Sequence, residues 1–292
     1  MNSSQITQII ISTINTLFGN MVSSIDNQVY SILDKLIFIT PEFLNDTNFK
    51  NIFGTNSSSG ILLLSNSFLI GFLIYYILKY FLSLITLSPS SSPYQFVFKL
   101  IIFAICMNSS FFICEQIISI IYIISSSICA LGEDLFSVSI SFSSLIQKIN
   151  NAIYIEQSNI NLFSIDGIMK TLISTGFLTL IFSYSIRYIL LKILLLFSPF
   201  AILCLSTPST HFIFKSWAKN FFSLLFLQIF ISLILIIIFS LDFDSNNLFS
   251  KFIFVGAIFV LIKSNTYVRE ILGGISLDFQ NNLQGFYNLF RR

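Results

Sequence analysis

Charge is scarce in this chain. Acidic and basic residues together make up 10 % of the 292 positions, against about 25 % in soluble domains, so the polar surface needed to hold a folded chain in water is missing. There is one histidine, His211, in a short loop, and no HExxH, GxSxG, P-loop or paired carboxylates accompany it; it reads as a solvated loop residue rather than a catalyst. Four cysteines, Cys106, Cys114, Cys129 and Cys204, lie in or beside apolar runs with no CxxC spacing and no histidine partner, the pattern of buried reduced thiols. Asp242 with Asp244, and Glu133 with Asp134, read as solvated acids at membrane exits. No catalytic residue, metal-ligand set or cofactor site is therefore expected. No basic residue precedes Lys35, so residues 1–34 offer neither the n-region nor the cleavage site of a signal peptide. There is no internal repeat, and the 35 phenylalanines are taken as lipid-facing or core residues, not as an aromatic binding box.

What is present is long apolar runs: 55 % of the residues are hydrophobic and the mean hydropathy is +0.87. A helix needs about 20 residues to cross a bilayer, and five stretches qualify, at 61–87, 100–124, 171–206, 220–240 and 248–264. The expected fold is all-α, a polytopic integral membrane bundle of about five transmembrane helices with amphipathic interfacial helices at both ends. The third run is too long for one straight span, and Ser198-Pro199 is expected to kink or break it. The fifth is short, its apolar core Phe252–Ile262 bounded by Lys251 and Lys263, which must snorkel. At the N-terminus, apolar residues step by three and four from Ile6 through Ile10, Ile14, Leu17, Met21 and Ile25 to Leu36, predicting an amphipathic helix at the interface or against partner helices, ended by Thr40-Pro41. The alternation in "FSVSISFS" (136–143) predicts a strand within a small central element.

The chain thus divides into an extracytoplasmic helix and linker (1–60), two spans (61–124), an extracytoplasmic central loop (125–170), three spans (171–264) and a cytoplasmic amphipathic tail (265–292). Its polarity follows from Lys and Arg placement. Windows 88–99, 207–219 and 263–292 carry seven basic residues, about threefold denser than 1–60, 125–170 and 241–251, which carry five, and this favours the N-terminus outside and the C-terminus inside. The tail places Phe279, Leu283, Phe286 and Phe290 on one face, with Arg291 and Arg292 for anionic lipid.

Four charges fall inside the apolar runs: Lys79, Glu115, Arg187 and Lys192. Each costs roughly 2.5–3.5 kcal/mol at mid-membrane on insertion scales, so such residues face a bundle interior, a wet cavity or each other. Lys79 and Lys192 can snorkel to the cytoplasmic interface. Glu115 and Arg187 lie deeper, roughly 14 Å and 24 Å from the outer ends of their spans at about 1.5 Å per residue; a direct pair and separate solvation both stay open. Ser119, Ser126, Gly176 and Ser183 suit close helix approach.

Arg187 in "YSIRYILLKILLLFSPF", followed by "STPSTHFIFKSWAKNFFSLLFLQ" (206–228), resembles the TrbL-type polytopic membrane protein of type IV secretion and conjugation systems. There an Arg-bearing helix meets a Pro break, a short loop carries Pro and Trp, and the next helix bears a Gln. The matching positions are Arg187, Pro199, Pro208, Trp217 and Gln228, and Gly273-Gly274 in "REILGGIS" resembles the family's turn after the last span. The match covers about 184–285, without the large soluble C-terminal extension of longer relatives. The resemblance implies a non-enzymatic inner-membrane subunit, homo-oligomeric within a larger complex. Its partners would be other secretion-system membrane subunits, cytoplasmic ATPases that supply the energy, and membrane lipids. It would help pass single-stranded DNA or effector protein and support pilus assembly, with Glu115, Arg187, Lys192 and Lys79 as path-lining candidates. The competing expectation is a secondary transporter of a small anion, a class that usually shows internal repeats with matched broken helices, whereas one break, at Pro199, is evident here. An intramembrane enzyme lacks any acid–base pair.

Overall fold

A computed structural model describes residues 13, 16, 32–55, 59–86, 93–145, 148, 165–207, 209–241 and 247–273. Among the described residues the named helices follow in order: α1 (Thr47–Phe53), α2 (Ile61–Thr86), α3 (Pro93–Asn108), α4 (Ser110–Phe136), α5 (Ile165–Leu203), α6 (His211–Ser240) and α7 (Leu248–Leu272). Among the described residues there is no strand. Five of the helices (α2, α4, α5, α6 and α7) are long and apolar enough to cross a membrane. The chain is an all-helical, multi-pass membrane protein.

Three local expectations are corrected. The run at 100–124 is not one span, because the helix ends at Asn108 and restarts at Ser110, and the crossing helix α4 continues to Phe136. Polar Asn108 and Ser109 interrupt the apolar run at that joint. The serine-alternating stretch is not a strand: Ser137, in the left-handed region at φ 55°, caps α4 by donating its N–H to Glu133 O, and 142–145 turn helical again. A lone segment of that length has no neighbour to complete a sheet ladder, and its serines bond one another instead, Ser141 Oγ with Ser143 and Ser144 at 2.9 Å. Pro199 does not break α5, which runs on to Leu203 before tightening into the 3-10 turn Cys204–Ser206. Proline removes one ladder bond there, and the chain leaves helix only at Thr207–Thr210, where Thr210 Oγ1 donates to Cys204 O at 2.7 Å.

Long-range contacts fix how the helices run. Ser125 meets Gln228, and a Cβ on Gly132 would touch Ile236, so α4 and α6 are parallel. Arg187 meets Leu224 and Leu194 meets Trp217, so α5 is antiparallel to α6. Tyr184 meets Ser264, and Gly176 faces Ile258 and Ile262, so α7 runs with α5. Together α4–α7 form the bundle, with α6 at its centre burying Phe221, Leu227, Ile231 and Leu235. Lys148 closes one end, donating to Phe239 O and Leu241 O at 3.0 Å each at the C-terminal end of α6, where the helix dipole favours a cation.

Helices α2 and α3 form a hairpin tied by reciprocal amide bonds between Asn66 and Asn108, 3.2 Å each. Only the first half of α2 packs on the bundle, through Leu69 and Phe72 against Met107, Ile202 and Leu203, and Phe68 edge-on to Phe200. Beyond Leu73 its large apolar side chains are exposed.

Residues 32–55 press one side into the bundle and leave the other, including Ile32, Lys35, Glu42, Asp46 and Ile52, exposed. Leu33, Ile37, Leu44 and Phe53 are fully buried among the residues of α4–α6. The segment is helical at 32–37, irregular at 38–40, 3-10 at Pro41–Leu44 and helical again in α1. Asp46 caps α1 by accepting from Asn48 N at 3.0 Å, and Gly54, at φ 99°, ends it in a conformation that suits glycine. Most of the expected N-terminal helix, most of the central loop and the 275–290 tail fall outside the described residues.

The closeness of α5 to α7 rests on Gly176, where an added Cβ would stand 3.1 Å from both Ile258 Cγ2 and Ile262 Cδ1. Gly176→Leu is expected to cost about 1–3 kcal/mol through overpacking and to lower the melting temperature in detergent. Gly71→Leu, with nothing within 4 Å of the added carbon, leaves it unchanged.

Candidate functional site

The irregular backbone at 38–40 creates the problem the site solves. Past Ile37 the helix ladder stops: Phe38 N still donates to Asp34 O at 3.0 Å and Ile39 N turns back to Ile37 O at 3.1 Å, and any buried backbone group left unpaired costs about 1–3 kcal/mol. Arg187, on α5 and 0 % exposed, supplies one partner. Its Nη1 donates to Ile37 O at 2.9 Å and its Nε donates to Leu224 O of α6 at 2.8 Å. A guanidinium carries five donors in a fixed plane, which lets one side chain hold two backbones at a set separation. Nη2 is buried with no hydrogen-bond partner.

Gln228, one helical turn beyond Leu224 on α6, supplies the second partner. Its Oε1 accepts from Ile39 N at 3.1 Å and its Nε2 donates to Ser125 Oγ of α4 at 2.8 Å. The orientation of the amide follows from its neighbours, since the oxygen faces a donor and the nitrogen a hydroxyl. Arg187 and Gln228 thus tie α4, α5, α6 and the N-terminal segment into one polar seam, with each side chain bridging two elements.

Two further ties lie near it on α5. Trp217 Nε1 donates to Leu194 O at 2.8 Å, and its ring stacks on Phe221 at 5.3 Å. Lys192 pairs with Asp46 at 3.4 Å, and its ammonium stands 5.3 Å from the ring centres of Phe43, Phe49 and Tyr188. Three aromatic faces and a carboxylate compensate the cation where it leaves bulk water. Among the described residues this is the one ion pair.

The sequence-selected residues therefore separate. Arg187 and Gln228 meet at the seam, with Trp217 and Lys192 close by on the α5 face. Glu115 is half-buried on α4 and makes no ion pair with Arg187; Lys79 is exposed on α2. Pro199 is buried near the end of α5. Gly273 closes α7 at φ 72°, donating its N–H to Arg269 O, and a Cβ there would collide with the Lys219 side chain. Pro208 and Gly274 fall outside the described residues.

Reasoning from the sequence missed Asp46, Ser125 and the whole role of residues 32–55. A signal was there: Leu33, Ile37, Phe43, Leu44, Phe49 and Phe53 are apolar on both sides of the Thr40-Pro41 break. Comparison of the chain with protein-family models, with curated proteins and with solved structures finds no match.

Arg187→Leu removes the bonds to Ile37 O and Leu224 O, though Ile37 O keeps its bond from Ile39 N, at about 0.5–1.5 kcal/mol for each bond lost. It is expected to lower both melting temperature and monodisperse yield despite raising hydropathy. Arg187→Lys, which lacks the fork, recovers part of the loss. Trp217→Phe removes one bond and is milder, by about 1 kcal/mol. Equal melting curves for the wild type and Arg187→Leu would remove the seam from any structural role.

Proposed function

We propose that this chain is a non-enzymatic membrane subunit of a type IV secretion or conjugation machine, of the TrbL type. It sits in the bacterial cytoplasmic membrane with the N-terminal side outside and the C-terminus inside, and helps pass DNA or protein. The observation that carries the reading is the fate of the residues on which the resemblance rests. Arg187, Trp217 and Gln228 are all tertiary ties, each reaching from one helix to a neighbour. A pattern of Arg, Trp and Gln in apolar sequence has a physical reason to recur in a family if it builds the bundle. The apolar arm of α2, exposed beyond Leu73, adds a surface of the kind an integral subunit presents to lipid or to neighbouring helices. In this role Arg187 acts as a tie, while Glu115 is half-buried and Lys79 exposed.

A second reading, a carrier of a small anion, is favoured by one observation. A broken backbone segment meets a fully buried arginine whose Nη2 has no partner, and broken helices with unpaired polar groups are what carriers place around substrate.

Deleting the gene separates the two. The secretion reading expects loss of DNA or protein transfer with growth unaffected, restored by the wild-type chain and not by Arg187→Leu. Purified with the products of neighbouring genes in mild detergent, the chain is expected in a particle much heavier than one copy. A monodisperse monomer that moves an anion into liposomes, with transfer intact in the deletion strain, would replace this reading by the carrier.

A further inference from the structure

Three contacts place the N-terminal segment along the height of the bundle. Asp34 Oδ1 accepts from Phe142 N at 2.8 Å, in the turn after α4 that folds back so that Ile140 meets Gly132 and Glu133. Ile39 reaches Ser125, midway along α4, through Gln228. Phe53 sits edge-on to Phe111, in the first turn of α4, with ring centres 5.1 Å apart. The order 34, 39, 53 against 142, 125, 111 is antiparallel. The stretch of α4 between Phe111 and Gly132 is roughly 32 Å long at about 1.5 Å per residue, close to the ≈ 30 Å of a bilayer's hydrocarbon.

We propose that residues 34–53 cross the membrane beside α4, as a broken passage buried on its bundle side, so that Ser59 and Asp34 lie on opposite faces. Hydropathy passes over the segment because it carries Asp34, Lys35, Glu42, Asp46 and Lys50. The structure places four of them individually, and Glu42 is exposed. Asp34 and Lys35 stand at one end; Asp46 is held by Lys192, and Lys50 Nζ donates to Asn45 Oδ1 at 2.9 Å. The non-helical groups at mid-height, Ile37 O and Ile39 N, are satisfied by Arg187 and Gln228. Irregular backbone survives at membrane depth only when protein buries it and supplies its partners, and the seam meets that requirement.

The passage redraws the faces of the chain. Gly54 and Gly60 approach so closely that a Cβ on Gly60 would stand 2.7 Å from Gly54 Cα, which turns the chain straight into α2 at the Phe53 end. The Asn66–Asn108 tie returns the α2–α3 hairpin to that same end, where α4 begins. Ser59 therefore shares a face with Ser209, which follows the C-terminal end of α5, while Lys35 shares the opposite face with Asn247, which opens α7. Reading residues 1–60 as wholly outside gives the reverse for Ser59.

The test uses the full chain with Cys106, Cys114, Cys129 and Cys204 replaced by alanine. Single cysteines at Lys35, Ser59, Ser209 and Asn247, all exposed, are probed with a membrane-impermeant maleimide in spheroplasts and in inverted vesicles. Ser59→Cys and Ser209→Cys are expected to label from one side, and Lys35→Cys and Asn247→Cys from the other. Ser59→Cys labelling together with Lys35→Cys overturns the passage. If Ser59→Cys reacts from neither side, the pair Phe53→Cys and Phe111→Cys decides: oxidation to an intrachain disulfide upholds the passage, and its failure overturns it. The labelling pattern does not depend on whether the chain supports transfer, so it stands or falls apart from the secretion reading.

Discussion

The fold depends on a single guanidinium held between two backbones. Arg187 bonds the carbonyl that ends the helical stretch 32–37 and a carbonyl of α6, so the N-terminal segment and the central helix are fixed at one separation. Everything nearby follows from that distance. Gln228, one turn along α6, is carried into reach of Ile39 N, and its other end meets Ser125 on α4. A lysine has no second arm for this geometry. An apolar residue there removes the strongest partner of the Ile37 carbonyl, in a place where water cannot replace it. The cation in an apolar run, which looks costly in sequence, removes a larger cost in the backbone around it.

Much of the architecture was legible from the runs themselves. The all-helical class and the number of apolar spans follow from length and hydropathy, because a bilayer leaves the backbone few other choices. Element ends were less legible. Asn108 and Ser109 divide what hydropathy averages into one run, and Pro199 fails to stop α5 because a proline late in a helix removes one bond without denying the remaining turn its packing. The serine alternation at 136–143 has the period of a strand, but a strand needs a neighbour, and none is within reach among the described residues.

The site divides along the same line. Arg187 and Gln228 stood out as polar residues in apolar sequence, but their partners are mostly backbone atoms, which no residue type announces. Asp46 was hidden because an acid in an apparently extracytoplasmic stretch needs no explanation until Lys192 is found against it. Glu115 was equally visible in sequence and meets no cation, since the helix that carries it turns it away from the seam. Polarity flags a residue, and only the fold says which of its neighbours is a main chain.

The seam also imposes an order in time. Ile37 is separated from Arg187 by 150 positions, Ile39 from Gln228 by 189 and Asp34 from Phe142 by 108. A ribosome working from the N-terminus releases the segment long before any of its partners exists. Until α6 emerges, its irregular backbone and its charges have no place in hydrocarbon, and it must wait at the membrane surface or in the shelter of an insertion machine. The last helices then close around the first residues. The chain is finished inside out: the segment is seated after its partners emerge, and a truncation after α5 leaves it with Arg187 and Lys192 but without Gln228.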